Sequence, residues 1–407
     1  MKILMVFPYA PLPPPHDLGG TKRNLPFFRE LASRNDVTVL SYGTKSDEAL
    51  FRAEYEALCT EIIFVNKKRP RIYHALEALW LLGTGRSTFR QLYRRAMQRA
   101  LNRLGAHIRF DVVYCMTQAF GYFRFFKGTP VVSDAHNVES DIIFRTYQHA
   151  HNGFWKLFHY LAYRYGERDE KRNLRRFSAI TATTERDAAI FRSWLPEQSI
   201  SVIQNGVDAI FFSQLDITPE PHSLVFTGLM SYHPNDSGIQ YFLDEILPRI
   251  IEKVPDTKIT IVGKDPSSRL CARRSERVTV TGFVDDVRPF IARASVFIIP
   301  LKIGGGVRGK ALEAMAMRTP IVTTTIGVEG INLTHEHSAL FADTPEKFAA
   351  AVVRMFSDDA LRFRLASNAF TTVAQENNWH AKGEALEQLL ARVAAVRQPV
   401  ATAAVAV

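Results

Sequence analysis

Twelve short apolar runs recur along the chain, and they lack the apolar–polar alternation of a half-exposed strand. In the first half they are Ile3–Phe7, Val37–Leu40, Ile62–Val65, Val112–Cys115, Val131–Ser133, Ala179–Ala182 and Ser201–Ile203. In the second half they are Leu224–Phe226, Lys258–Val262, Val278–Thr281, Val296–Ile299 and Ile321–Thr323. Short β-branched runs of this kind suit strands buried on both faces of a parallel sheet. Helix-like stretches lie between them and complete βαβ units. A chain of 407 residues exceeds one typical core, and each half supplies enough strands for one doubly wound sheet. The spacing therefore predicts an α/β protein of two Rossmann-like domains facing a central cleft, with ligands bound in the loops beyond the strand C-termini.

The turn-rich stretch Gln204–Asp208, followed by a polar segment to Pro221, is the predicted linker. The expected division is residues 1–212 for acceptor binding, 213–374 for donor binding, and 375–407 for a C-terminal helix and disordered tail. The Ala- and Val-rich end after Arg397 carries no readable structure. There is no tandem repeat.

Composition narrows the class. With 46% hydrophobic and 23% charged residues, disorder is not expected. Three widely spaced cysteines, Cys59, Cys115 and Cys271, fit neither a disulfide framework nor a Cys-rich metal site, and suit a reducing compartment. Prolines follow the first apolar run at once, so MKILMVF reads as a strand and not a signal peptide. No run is long enough to cross a bilayer. The expected location is the cytoplasm or, peripherally, the inner face of the cytoplasmic membrane.

Net charge is +10, and its placement matters more than its size. Residues 1–210 hold 30 Lys+Arg against 20 Asp+Glu, whereas residues 211–407 hold 21 of each. Lys67–Arg109 carries eleven cations and one acid, Glu77. That asymmetry suggests a polyanionic partner. Arg95, Arg99 and Arg103 form one basic stripe, and Phe154–Phe177 mixes aromatics with cations at helical spacing; both suit contact with an anionic membrane. No RNA or DNA motif accompanies the charge, so no nucleic acid partner is expected.

The chemistry concentrates in GGGVRGKALEAMAMRTPIV, Gly304–Val322. Val296–Pro300 reads as a strand, Leu301–Gly306 as a loop and Val307–Met317 as a helix. Bare glycine backbone admits close approach of a ligand. A helix N-terminus favours phosphate, and Arg308 and Lys310 add full cations. Glu313, one turn deeper, is an acceptor when ionised. Beside a phosphate site it is electrostatically wrong unless it accepts from hydroxyls, as a ribose would offer. Cations followed by an acceptor spell a nucleoside diphosphate.

These residues resemble the donor-site signature of family 4 glycosyltransferases of the GT-B fold, where a GGG-x-R-x-K-x-LEAMA-x-x-x-P pattern recurs. Further segments match in order: the Gly19–Gly20 loop, VIQNGVD (Val202–Asp208), FTGLMSYHPNDSGIQYFL (Phe226–Leu243), ITIVGKDP (Ile259–Pro266), VTGFVDDVRPFIARASVFIIPL (Val280–Leu301) and GVEGI (Gly327–Ile331). The resemblance implies that Glu313 holds the ribose and that Arg308 and Lys310 neutralise the leaving diphosphate. It also implies that Gly282, Phe283 and Val284 line the base pocket, and that Gly19, Gly20, Gly228, Gly305, Gly306 and Val307 approach the donor. Gly305 stands where many relatives carry the first acid of a Glu-x7-Glu pair. The loop after the first donor-domain strand lacks the usual basic pair, a pattern similar to the subgroup with a YHPN-like loop.

In the first half, VVSDAHNVESDII crowds Asp134, His136, Asn137 and Glu139 into six positions. One His with nearby carboxylates is a poor metal set, and neither a metal nor a cofactor other than the donor is expected. The resemblance places a residue of this loop beside the reacting sugar, and His136 is the candidate. It also implies a retaining transfer from a nucleotide sugar to a lipid-linked or polysaccharide acceptor, similar to exopolysaccharide assembly. Rival readings are a nucleotide-sugar epimerase of the same architecture, a basic nucleic-acid-binding protein, and a catalytically silent sugar-nucleotide sensor.

Overall fold

The computed structural model describes residues 1–13, 21–66, 71–148, 153–213, 215–303 and 308–396. The tail after Arg397, expected to fray, lies outside them. Two compact units are present. The first comprises Met1–Pro13, Asn24–Ile203 and the chain from Gly383; the second comprises Gln204–Lys382 with a short stretch ending at Arg23.

The first unit holds a seven-stranded parallel sheet of β1 (Lys2–Phe7), β2 (Asp36–Tyr42), β3 (Glu61–Val65), β4 (Val112–Cys115), β5 (Val131–Ala135), β6 (Ala179–Ala182) and β7 (Ser199–Val202). Their order is β3-β2-β1-β4-β5-β6-β7. Register follows the apolar runs, with Ile3 opposite both Val37 and Val112. Every side chain of β4 and β6 is buried, which is why these strands show no alternation. The helix Thr21–Ala32 buries Leu25, Phe27, Phe28 and Leu31.

The helix Arg95–His107 buries Met97, Leu101 and Leu104 in a core with Leu4, Val6, Leu40 and Val113 of the sheet, while Arg95, Arg99 and Arg103 stay exposed. Burial of such side chains contributes roughly 1.5–3 kcal/mol each. This basic stripe is therefore the solvated side of a core helix, and its apolar side is not free for a membrane.

The second unit holds a six-stranded parallel sheet of β8 (Glu220–Thr227), β9 (Lys258–Val262), β10 (Val278–Gly282), β11 (Ala294–Ile299), β12 (Ile321–Thr323) and β13 (Leu340–Phe341), in the order β10-β9-β8-β11-β12-β13. β13 has two residues, paired to Val322 and Thr323, too short to leave a periodic signal. The two doubly wound sheets predicted from the sequence are both present. Strand order reverses between β1 and β4 in one and between β8 and β11 in the other, and such a reversal opens a crevice at the strand C-termini.

The two units part after Ile203 and after Lys382, where the sequence suggests 212 and 374. Residue 374 lies inside the helix Asp359–Glu376. The last helix, Trp379–Ala395, buries Leu386, Leu389 and Leu390. It returns to the first unit, where Asn35 Nδ2 donates to Glu387 Oε1 at 2.7 Å. Among the described residues no helix is long and apolar enough to cross a membrane. Cys59, Cys115 and Cys271 are free thiols.

Candidate active site

Two glycines shape the crevice of the second sheet. Gly228 follows β8 with φ +155°, and a Cβ there would lie 2.8 Å from both Lys310 Nζ and Asn235 Nδ2. Gly263 follows β9 with φ +156°, and a Cβ there would lie 1.7 Å from the Gly228 carbonyl oxygen. Side chains at either place would displace the ammonium group or the backbone, so the strand ends must be bare.

Lys310 sits in the first turn of the helix Gly309–Ala316, with Arg308 at its N-cap. Its Nζ donates to Asn235 Oδ1 at 2.8 Å and lies 3.9 Å from the centre of the Phe226 ring. Asn235 Nδ2 donates to Leu229 O at 2.9 Å, which turns the amide oxygen toward the cation. Asn235 is the last residue of the YHPN motif and lies in the first turn of the helix His233–Tyr241, so that turn places an acceptor under Lys310 in the absence of extra cations. Desolvation, then the neighbouring Arg308 charge, holds the Lys310 ammonium well below its ordinary pKa, and Glu313 opposes the shift. An arriving anion would favour the protonated form.

Glu313, one turn further, is 4% exposed. Lys22, in the stretch that belongs to this unit, donates to its Oε1 at 2.5 Å. A buried carboxylate requires such donors. Arg308 Nη2 makes a long contact of 3.4 Å to Ile326 O.

The structure thus brings Gly228, Arg308, Lys310 and Glu313 together at one sheet crevice, and adds Asn235, Phe226 and Gly263. Gly282, Phe283 and Val284 lie at the end of β10, two strands from β8. Gly263 N donates to Gly282 O at 3.1 Å, and the Phe283 ring is exposed. Gly19, Gly20, Gly305, Gly306 and Val307 lie outside the described residues.

The crevice of the first sheet carries a different set. Asp134, at the end of β5, is fully buried. Its Oδ1 accepts from Thr181 Oγ1 at 2.6 Å, and its Oδ2 lies 3.1 Å from His136 Nε2. Thr183 Oγ1 donates to His136 O at 2.9 Å, so ring and backbone are both held.

Beside them, buried Glu170 accepts from Glu139 N at 2.9 Å, Ser140 N at 3.0 Å and Gln118 Nε2 at 2.9 Å. It satisfies free N–H groups at the start of the helix Glu139–Gln148, where negative charge is favoured. Burial, reinforced by the Glu170 charge, pushes the Glu139 carboxyl up to about 7. Asp134, His136 and Glu139 are legible in the sequence because they are neighbours. Glu170 lies 31 residues from Glu139 and gives no local signal. Among the described residues no group of three or more His, Cys, Asp or Glu side chains is placed to hold a metal ion.

Two family models match the chain. Glycosyltransferase Family 4 covers residues 19–210 and Glycosyl transferases group 1 covers residues 221–358, together most of the chain. An uncharacterised 44.6 kDa protein in the cps region of Klebsiella pneumoniae is 23% identical over 401 residues, spanning 92% of this chain and 96% of that protein. The lipopolysaccharide core biosynthesis glycosyltransferase LpsE of Rhizobium meliloti is 32% identical over 122 residues, 29% of this chain and 35% of its own.

Among solved structures, sucrose-phosphate synthase of Thermosynechococcus elongatus superposes with a TM-score of 0.72 at 18% identity, covering 97% of this chain and 99% of that one. Anabaena Alr3699/HepE in complex with UDP-glucose gives a TM-score of 0.67 at 15% identity, covering 96% and 100%. At such identities the likeness establishes the fold, which is GT-B.

Proposed function

The chain belongs to the glycosyltransferases of family 4 and group 1, and we propose that it moves a sugar from a nucleoside diphosphate to a lipid-linked or polysaccharide acceptor, with retention of anomeric configuration, in cell-surface polysaccharide synthesis. The observation that carries this reading is a buried acceptor, Glu313, set one turn behind the cations Arg308 and Lys310 at a crevice with bare glycine backbone. The diphosphate lies against the two cations and the helix N-terminus. The ribose hydroxyls donate to Glu313, and Gly282, Phe283 and Val284 take the base.

As the bond from the anomeric carbon to the diphosphate oxygen breaks, Arg308 and Lys310 stabilise the charge growing on that oxygen. The acceptor hydroxyl attacks from the same face, and its proton passes to the departing oxygen. Lys310 suits this task because a cation that desolvation disfavours is restored by an anion. His136, held by Asp134, orients the sugar. The UDP-glucose complex of the Anabaena protein supports a uridine nucleotide as the first donor to test. The cps-region and lipopolysaccharide-core relatives support a cell-surface product. The basic first half supports an acceptor presented at an anionic membrane surface.

UDP-, GDP- and ADP-sugars are screened by thermal shift. Release of nucleoside diphosphate from the donor that binds is then followed with a total lipid extract as acceptor. Arg308→Gln and Lys310→Met are expected to lower the rate by about 10²–10³-fold. Glu313→Gln is expected to weaken donor binding by roughly tenfold or more. Unchanged rates in both cation variants, or a free epimerised nucleotide sugar as the product, would overturn the reading.

A further inference from the structure

Nearly half of the large apolar side chains exposed among the described residues lie on two helices of the first unit. On the helix Arg71–Gly83, Tyr73, Leu76, Leu79 and Trp80 are 48–57% exposed. Spacings of three and four put Tyr73, Leu76 and Trp80 on one face. At the start of the helix Gly153–Leu174, Trp155, Leu157 and Tyr160 are 42–58% exposed. The two helices pack against each other, and Arg168 Nη2 donates to Gly85 O at 2.7 Å just beyond the end of the first. Apolar exposure so concentrated marks an interaction surface and not the ordinary scatter of single residues.

Cations border it. Arg86 stacks over Trp80 at 5.4 Å, and Arg168 over Tyr165 at 5.5 Å. The turn Thr88–Leu92 is pinned to the same helix, since Gln91 Nε2 donates to His74 O at 2.8 Å and Arg94 pairs with Glu77 at 3.3 Å. That turn supplies Arg90 to a cavity of about 390 Å³, which Arg124, Arg176, Tyr93 and Tyr122 also line. Among the described residues none of these three arginines pairs with a carboxylate; Arg176 Nη1 donates to Gly121 O at 2.7 Å. The net positive excess of the chain lies in this half of the sequence.

We propose that this face docks on an anionic lipid bilayer. The aromatic and leucine side chains of the two helices enter the interfacial layer, and Arg90, Arg124 and Arg176 receive a lipid phosphate. Tryptophan and tyrosine beside arginine are the side chains that such an interface favours, apolar body inward and polar tip outward. A nucleic acid would use the arginines but leave Leu76, Leu79 and Leu157 bare. The inference deepens the membrane contact of the proposed function by naming the surface that makes it.

The test is sedimentation of the full chain with vesicles of phosphatidylcholine alone or mixed with phosphatidylglycerol, at low and high salt, with tryptophan emission as second readout. Binding to the mixed vesicles alone, with a blue-shifted emission, is expected. Trp80→Ser with Trp155→Ser is expected to weaken it about tenfold or more. Arg90→Gln with Arg124→Gln and Arg176→Gln is expected to weaken it similarly and to flatten its salt dependence. Arg95→Gln with Arg99→Gln and Arg103→Gln, on the core helix, should weaken it less. These positions are exposed, and circular dichroism with nucleotide affinity checks that the variants fold.

Three results would overturn the proposal: equal affinity for both vesicle types, full binding by the serine pair, or a dimer that the serine pair converts to monomer. Binding of an oligonucleotide with no vesicle binding would do the same. Vesicle and nucleotide binding are measured separately, so either reading can fail without the other.

Discussion

Glu139 is expected to give the first-unit crevice a pH dependence. Its carboxyl is raised from 4.5 to about 7 by burial and by the Glu170 charge. A raised carboxyl pKa means that the native state keeps a proton which the unfolded chain releases. The associated stability is fully present below the unfolded value and is lost as pH rises through about 7. Urea unfolding between about pH 5 and pH 8 should show wild type losing on the order of 1–3 kcal/mol more than Glu139→Gln. Equal losses would contradict the assignment. The contrast between Glu139 and Glu170 also marks how far sequence reaches at this scale. Asp134, His136 and Glu139 announce themselves by adjacency. Glu170 lies on another helix and meets the Glu139 backbone only through the fold. Asn235 stands between these cases, since the YHPN motif is visible but its grip on Lys310 needs the third dimension.

Among the secondary-structure elements, the strands were the most legible feature because double-sided burial leaves a run of β-branched residues with no polar break. β13 escaped because two residues carry no period. Helices were legible in position, but their apolar faces were not legible in destination. Met97, Leu101 and Leu104 pack inward, whereas Leu76 and Leu79 on a more apolar stretch stay outside. Propensity and spacing cannot separate the two; packing decides.

The ends of β9 and β10 provide a stability test. At Gly263 a Cβ would sit 1.7 Å from backbone, whereas at Gly282, with φ +76°, it would meet nothing within 4 Å. Gly282→Ala should cost about 1–2 kcal/mol of left-handed strain. Gly263→Ala should cost more, at least about 3 kcal/mol, because a strand end must move. Thermal melts that reverse this order would contradict the packing described for the crevice.

For the molecule as a whole, the two sheets follow from the alternation of apolar runs and helices, and the helix Gly309–Ala316 of the Gly304–Val322 motif follows β11, one of the two strands at the second switch point. The return of the last helix to the first unit was not legible, because Asn35 and Glu387 are 352 residues apart. Charge asymmetry suggests which half would meet a polyanion, and the proposed docking face narrows it to two helices and an arginine-lined cavity. The reading that would unite these features is the proposed grip of Arg308 and Lys310 on a nucleoside diphosphate with its ribose on Glu313. Calorimetric titration of the intact chain with UDP, GDP and ADP tests it most directly. One of the three should bind at one site per chain, and Glu313→Ala should weaken that binding by about tenfold or more. No affinity for any of the three, or undiminished affinity in the alanine variant, would contradict it.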